Sequence, residues 1–530
     1  MTQFDYVVAG GGSAGCVVVN RLVKAGYKVL LIEAGPKDDT MFIHMPGTFI
    51  RVLGTRRTWQ YRCEPQAAAA HRTMIIPQGR TLGGGSSVNA MIYIRGTQQD
   101  YDEWQEQGCT GWGWDQVLPV FKRAEANQRL SGAYHGVDGL LTVSDVRYRH
   151  PLSLAFVKAA QETGIAYNDD FNGEQQGGAG FYQTTTYEGR RASTAATYLA
   201  QVLNNPLLTV ATDCHVCKVL IEHGVATGVV YRKGSGSEIT VRATKEVILA
   251  AGALATPKLL MLSGIGPAQH LSSFGITPIK DLPAVGEHYQ DHLEVPVYGR
   301  TKQPISLLGQ DRGLNALKHG LQYQLFKTGL LTSNVVESGG FMDTTGEGRP
   351  DVQFHVLPVL AGDADRAPLA GHGISLNVCF LRPKSRGKIQ LRSTNPLDPI
   401  VLDGAYLSHD DDVQTLIRGV KLARKILRAP SLAKVIEREL LPSAAEQLSD
   451  AAIEEHVRLY AKTVYHPACS CRMGNSELNS VVNPRLQVHG IANLRICDAS
   501  VMPDLISGNT NAPVIMIAER CADFILQDQA

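Results

Sequence analysis

Phe4-Asp5-Tyr6-Val7-Val8-Ala9-Gly10-Gly11-Gly12-Ser13-Ala14-Gly15 passes from an apolar, β-branched run straight into a cluster of glycines. Residues 4–9 predict a strand buried on both faces. Gly10, Gly12 and Gly15 have the GxGxxG spacing, and a helical pattern from Cys16 to Val23 follows, closed near Gly26. A second apolar strand, Lys28 to Ile32, then ends at Glu33. Each part has a task. Gly10 permits a tight turn, Gly12 lets a pyrophosphate approach the backbone, and Gly15 lets helix and strand pack closely. The helix N-terminus offers unpaired N–H groups and a partial positive charge to phosphates, and Glu33 can accept hydrogen bonds from a ribose diol. Strand, glycines, helix, strand and acid in this order predict a dinucleotide site.

The same glycines carry a rival motif. Gly11-Gly12-Ser13-Ala14-Gly15 also matches GxSxG, the nucleophile elbow of α/β-hydrolases, which likewise lies between a strand and a helix. Against it, a hydrolase nucleophile rarely sits on a chain's first strand, and the elbow leaves Glu33 without a task. A further glycine-rich stretch, Gly79-Arg80-Thr81-Leu82-Gly83-Gly84-Gly85-Ser86-Ser87-Val88-Asn89, can lay its backbone against a flat, bulky group. The apolar and aromatic residues after it, Ala90 to Ile94, build that loop into the fold instead of leaving it a linker.

Composition sets bounds. A chain of 530 residues exceeds one compact core, so two joined domains are expected. Hydrophobic content of 44% and charged content of 19% suit a soluble globular protein, and a formal net charge of +1 gives no long-range pull towards nucleic acid. The N-terminus has no basic segment leading into a long apolar run, and the most apolar stretch, Val247 to Leu262, is broken by Lys258 and helix breakers. No transmembrane segment is expected; the default is a cytoplasmic protein, with peripheral membrane association left open. The ten cysteines show no disulfide spacing. Cys214-His215-Val216-Cys217 lacks the second pair that a zinc site requires, so no metal is expected.

The run Gly79 to Gly96 resembles the first signature of the glucose–methanol–choline (GMC) family of flavoprotein oxidoreductases, and Gly252-Ala-Leu-Ala-Thr-Pro257-Lys-Leu-Leu-Met-Leu-Ser263-Gly264-Ile265-Gly266 its second. Arg190 to Thr194, Asp281 to Gly286, Gln290-Asp291-His292 and Leu381 to Arg386 look shared as well, and the likeness runs from residue 4 to the C-terminal helix. Within the family it looks nearest to the L-sorbose and choline dehydrogenase branches. The resemblance implies an α/β fold: a Rossmann-like FAD-binding domain built from 1–154, 196–295 and 461–530, and an α+β substrate domain with an antiparallel sheet, built from 155–195 and 296–460. It implies FAD contacts at Gly10, Gly12, Ser13, Ala14 and Gly15, then at Glu33 and Ala34. From the glycine-rich loop it adds Arg80, Gly84, Gly85, Ser86, Asn89 and Ala90. Later in the chain it adds Val216, Asp498, Ala499, Asn509 and Thr510. Some choline oxidases attach flavin through a histidine in the first signature. Val88 stands at that position here, which implies noncovalent FAD.

By the same resemblance the catalytic histidine is His466, in Val464-Tyr465-His466-Pro467, and its partner is Asn509, with Asn511 the alternative in Asn509-Thr510-Asn511. The chemistry suits them. Oxidising an alcohol removes a proton from oxygen and a hydride from carbon; histidine is a base near neutrality, and an asparagine amide can steady the developing alkoxide. Asp498 either contacts the flavin ribityl chain or caps a helix. Tyr465 either lines the pocket or packs. Glu337 resembles a substrate-domain acid of choline-oxidising relatives, and a carboxylate there would attract a quaternary ammonium or bind a polyol; an ion pair supporting the sheet fits equally. Strands are expected at Asp351 to Val356 and Ile374 to Leu381, helices at Asp410 to Leu427 and Ala451 to Tyr460, and loops at Asp343 to Pro350 and Gly362 to Pro368. The expected activity is oxidation of a polyol such as L-sorbose, or of another primary alcohol, with electrons passed to a non-NAD acceptor. The same chemistry with oxygen as acceptor, and a non-redox hydroxynitrile lyase, remain alternatives. Oligomeric state is left open.

Overall fold

Four consecutive buried residues, Tyr6 to Ala9, and four more, Val29 to Ile32, can satisfy their backbones only inside a sheet covered on both sides. In the computed structural model, which describes residues 3–362 and 364–529, the strands Gln3–Ala9 and Val29–Ile32 pair in parallel, joined by the helix Ser13–Lys24. Among the described residues their sheet has seven strands. Leu208–Ala211 and Val29–Ile32 lie to one side of Gln3–Ala9, and Glu238–Leu249, Val225–Lys233 and Cys214–Glu222 to the other. The long strand Glu238–Leu249 joins two patterns. Its C-terminal half pairs in parallel with Gln3–Ala9 and Leu494–Ile496, and its N-terminal half is antiparallel to Val225–Lys233. The buried C-terminal helix Asn511–Asp528 packs on Ser13–Lys24.

A second seven-stranded sheet is antiparallel throughout, ordered Ile436–Leu441, Leu293–Thr301, Gly373–Phe380, Val352–Leu357, Ser338–Met342 and Gly178–Phe181, with Lys462–Thr463 beside Leu293–Thr301. One face is apolar: Val295, Val297, Val352, Phe354, Leu376 and Val378 pack under the helix Asp410–Leu427. Gly419 of that helix lies so close that a Cβ there would meet Val378 Cγ1 at 2.3 Å. Strand alternation sends Glu294, Gln353, His355 and Asn377 to the opposite face, and all four are buried.

The expected helix from Asp410 to Leu427 matches its observed bounds, and the second is Asp450–Tyr460. The expected strands are found as Val352–Leu357 and Gly373–Phe380. Within the expected loop from Gly362 to Pro368, Asp363 lies outside the described residues. The apolar stretch Val247 to Leu262 divides into the end of a strand, a turn and the short helix Thr256–Leu262. Among the described residues no helix is long and apolar enough to cross a membrane.

Candidate active site

Between the first sheet and the polar face of the second lies a cavity of about 620 Å³. At one end the loop after the first strand comes against the second glycine-rich loop. Gly84 has φ +50°, and a Cβ on it would stand 2.6 Å from Gly12 Cα. Gly10, Gly12, Ser13, Ala14, Glu33, Ala34, Gly84 and Gly85 all line this end. Glu33 is fixed by two backbone donors, Gly11 N to Oε2 and Gly35 N to Oε1, both at 2.8 Å, and burial pushes its carboxyl up to about 7. Arg191 braces the second loop from behind, donating to Ser86 O and Asn89 Oδ1. Asn89, Ala90, Val216, Asp498, Ala499 and Thr510 line the cavity further along. Asp498 Oδ1 caps the short turn at Ser500 N, not the terminal helix, and its Oδ2 accepts from Gly252 N and Thr256 Oγ1, while the residue lines the cavity.

Four expected contact residues do not line the cavity. Gly15 sits behind the wall, where a Cβ would come within 1.9 Å of Gly10 O, so its work is helix–strand packing. Ser86 turns inward to Gly83 O and Thr194. The Arg80 guanidinium lies over the Trp59 ring, 4.4 Å from its centroid, and it is Trp59 that faces the cavity. Glu337 is fully buried away from it: its carboxylate accepts from His150 N at 2.6 Å and Ser333 Oγ at 2.5 Å, tying three segments together. Among the described residues the serine of the hydrolase motif has no base bonded to it: Ser13 Oγ donates to Asn511 Oδ1 at 2.8 Å and accepts from Ser86 N.

The same bond separates the two asparagines. Asn511 is held by Ser13, whereas Asn509 Nδ2 lies 3.3 Å from His466 Nε2. Gln353 Nε2 donates to Asn509 Oδ1 at 3.0 Å, which turns the Asn509 amide nitrogen towards the imidazole. On its other side His466 Nδ1 is 3.0 Å from His292 Nδ1, and His292 Nε2 is 2.9 Å from Leu381 O. A carbonyl can only accept, so His292 Nε2 carries hydrogen and His292 Nδ1 accepts from His466 Nδ1. His466 Nε2 is therefore the unprotonated nitrogen, which agrees with the Asn509 donor facing it. Burial, then His292 and His355, hold His466 well below the usual imidazole range, and burial brings His292 down to about 4. The backbone is held as firmly: Asp291 Oδ1 accepts from His466 N at 2.8 Å, and Tyr465, which lines the cavity, is in the left-handed region at φ +67°.

Sequence reasoning passed over the polar side of the roof. Glu294 Oε1 accepts from Asn377 Nδ2 at 2.7 Å and pairs with Lys462 Nζ at 3.2 Å, and its Oε2 lies 2.9 Å from His355 Nδ1. Against burial, which raises it, Lys462 and His355 pull the Glu294 carboxyl down to about 2. All four residues line the cavity, and His355 Nε2 and Asn377 Oδ1 are buried without hydrogen-bond partners among the described residues. Polar residues alternating with Val295, Phe354 and Val378 inside covered strands were the available signal.

The residues fit a flavin dinucleotide: a glycine cradle that a Cβ would fill, an acid at the end of the second strand, and an elongated cavity running on to a histidine. Comparisons with known proteins agree. Two family models, both described as GMC oxidoreductase, match residues 4–294 and 383–518. The chain is 45% identical over 534 residues to alcohol dehydrogenase (acceptor) of Pseudomonas putida, covering 99% of this chain and 96% of that one. It is 41% identical over 534 residues to human mitochondrial choline dehydrogenase, covering 99% and 90%. Among solved structures, pyridoxine 4-oxidase from Mesorbium loti superposes with TM-score 0.89 at 30% identity, covering 98% of each chain. Formate oxidase from Aspergillus oryzae, an FAD protein, gives TM-score 0.93 at 26% identity, covering 99% and 98%.

Proposed function

Because the chain belongs to the GMC oxidoreductase family, FAD-dependent enzymes that act on CH–OH donors, we propose that it oxidises a primary alcohol with His466 as base and Asn509 as oxyanion partner. FAD, when bound, supplies the hydride acceptor. The residues that would hold it are the cradle around Gly12 and Gly84, with Glu33, Asn89, Asp498 and Thr510. His466 Nε2 takes the hydroxyl proton, and Asn509 Nδ2 holds the oxygen as charge develops on it. The observation that carries this reading is the fixed hydrogen order from Leu381 O through His292 to His466, which leaves an acceptor nitrogen beside Asn509. Segments 1–154, 196–295 and 461–530 are assigned to the cofactor, and 155–195 with 296–460 to the substrate; the antiparallel sheet facing the cavity supports that division. Val88 lines the cavity with a side chain that forms no bond to a flavin, which supports noncovalent attachment.

The named relatives favour a simple alcohol over L-sorbose, and an acceptor other than NAD. A second reading is that oxygen is the acceptor, favoured by the two oxidases that share the fold. Anaerobic stopped-flow on the purified protein tests the base: His466→Ala should keep its flavin and reduce it about 10²–10⁴-fold more slowly. A variant that reduces its flavin at the wild-type rate would remove His466 from the mechanism. Readmitted oxygen that reoxidises the flavin with stoichiometric peroxide would favour the oxidase.

A further inference from the structure

The helix Gly313–Phe326 is built the wrong way round for a helix covering a core. Its leucines at 314, 317, 321 and 325 recur at helical spacing, yet all four are exposed, Leu314 at 84% and Leu325 at 68%, as is Phe326. Tyr323 is its one buried residue. The stripe is about 20 Å long. It continues across the surface: the helix packs on residues 330–332, which meet residues 46–51, and there Met41, Phe42 and Ile50 are exposed too. Ile50, with Phe49 and Leu53, also lines the cavity, so the apolar surface runs to the mouth of the site.

Charge selects the occupant. Arg51, Arg312 and Lys318 are exposed around the stripe, and Asp311, which pairs with Arg51 at 3.6 Å and Arg312 at 3.8 Å, is the single carboxylate in segments 41–57 and 302–330, so the cations outnumber it. Apolar side chains flanked by long cationic ones are the pattern of a helix lying in a bilayer interface, with leucines among the acyl chains and arginines at the phosphates. None of the described helices spans a membrane, so contact is in the plane of the surface. We propose that this face docks on an anionic lipid bilayer, placing the cavity mouth at the membrane, where apolar alcohols concentrate. The proposal goes beyond the reading of the cavity and does not depend on it.

Cosedimentation of the holoenzyme with phosphatidylcholine vesicles, with and without phosphatidylglycerol, tests it. Binding should require the anionic lipid and weaken at high salt. It should fall about tenfold or more in Leu314→Gln/Leu317→Gln/Leu321→Gln/Leu325→Gln, whose flavin content and turnover of a water-soluble alcohol stay as in the wild type. Should that variant fail to fold, Arg312→Glu/Lys318→Glu tests the electrostatic part with the stripe intact. Wild-type protein that ignores the vesicles, or variants that bind as well as it does, would overturn the proposal. So would a wild-type dimer in buffer that the leucine variant turns into a monomer without any vesicle binding, which would make a second copy the occupant.

Discussion

At pH 7 an exposed imidazole is about a quarter protonated, and that fraction is lost to base catalysis. In the proposed mechanism burial removes the loss at His466 by depressing its affinity for a proton, and His292 then decides which nitrogen is free. The depressed group is active above its own pKa and fails as pH falls through it. The acid limb of kcat/KM should therefore lie below the ordinary histidine value of about 6.5, with no loss between there and neutrality. A limb above that value, measured over a buffer series, would mean that His466 is not the neutral base described. The roof gives a second expectation. Glu294 is a carboxylate well placed to meet a cation, but Lys462 already neutralises it. Lys462→Met should lower KM for choline by about tenfold or more and leave neutral alcohols little changed. Unchanged choline kinetics would take Glu294 out of the substrate's reach. That His466, Asn509 and Glu33 stand at one cavity was legible in the sequence because fixed motifs carry them. For Glu337 the sequence allows both a ligand contact and structural support, because a lone acid beside a strand looks the same whether it faces a ligand or, as here, His150 and Ser333. Its role is a contact 187 residues away in the chain, which no local pattern encodes.

Among the elements, legibility followed periodicity. Asp410–Leu427 is amphipathic over five turns with three acids in its first turn, so both its ends could be read. Gly10 takes the positive φ of a turn and Gly15 packs on Gly10 O, as the glycine spacing suggests, yet the sequence did not reveal that Gly84 closes on Gly12 from a loop seventy-two residues on. That closure makes the two loops one device. Alanine at Gly84 meets both a φ of +50° and the Gly12 backbone at 2.6 Å, and it can be accommodated only by spreading the cradle. Strain of this kind costs about 1–3 kcal/mol, so Gly84→Ala should bind FAD roughly five- to hundredfold more weakly. The ratio of flavin to protein absorbance after gel filtration reads this directly; full flavin content would show that the loops do not work as a pair.

For the whole molecule, the cavity has no single owner. One wall comes from a mixed sheet built of strands within 3–32, 208–249 and 494–496, the other from an antiparallel sheet built mostly of strands within 293–463, and Tyr465 to Pro467 line the cavity as well. A group filling that space touches both halves at once and so stabilises their closure. Composition and length led to an expectation of two domains, but not of a cavity between two sheets, because that depends on pairings as distant as Val247 with Leu494. The consequence can be measured by removing the cofactor. A ligand that binds only the folded chain adds about 2.7 kcal/mol at a hundredfold excess over its Kd. Protein stripped of flavin should therefore melt several degrees lower, and added FAD should restore the melting temperature in proportion to the logarithm of its concentration. With noncovalent attachment, acid precipitation of the holoenzyme leaves the yellow colour in the supernatant. Colour retained in the pellet would reveal a covalent bond from some lining residue other than Val88. A melting temperature indifferent to FAD would mean that the halves close without it, and that the cavity is held open by its walls alone.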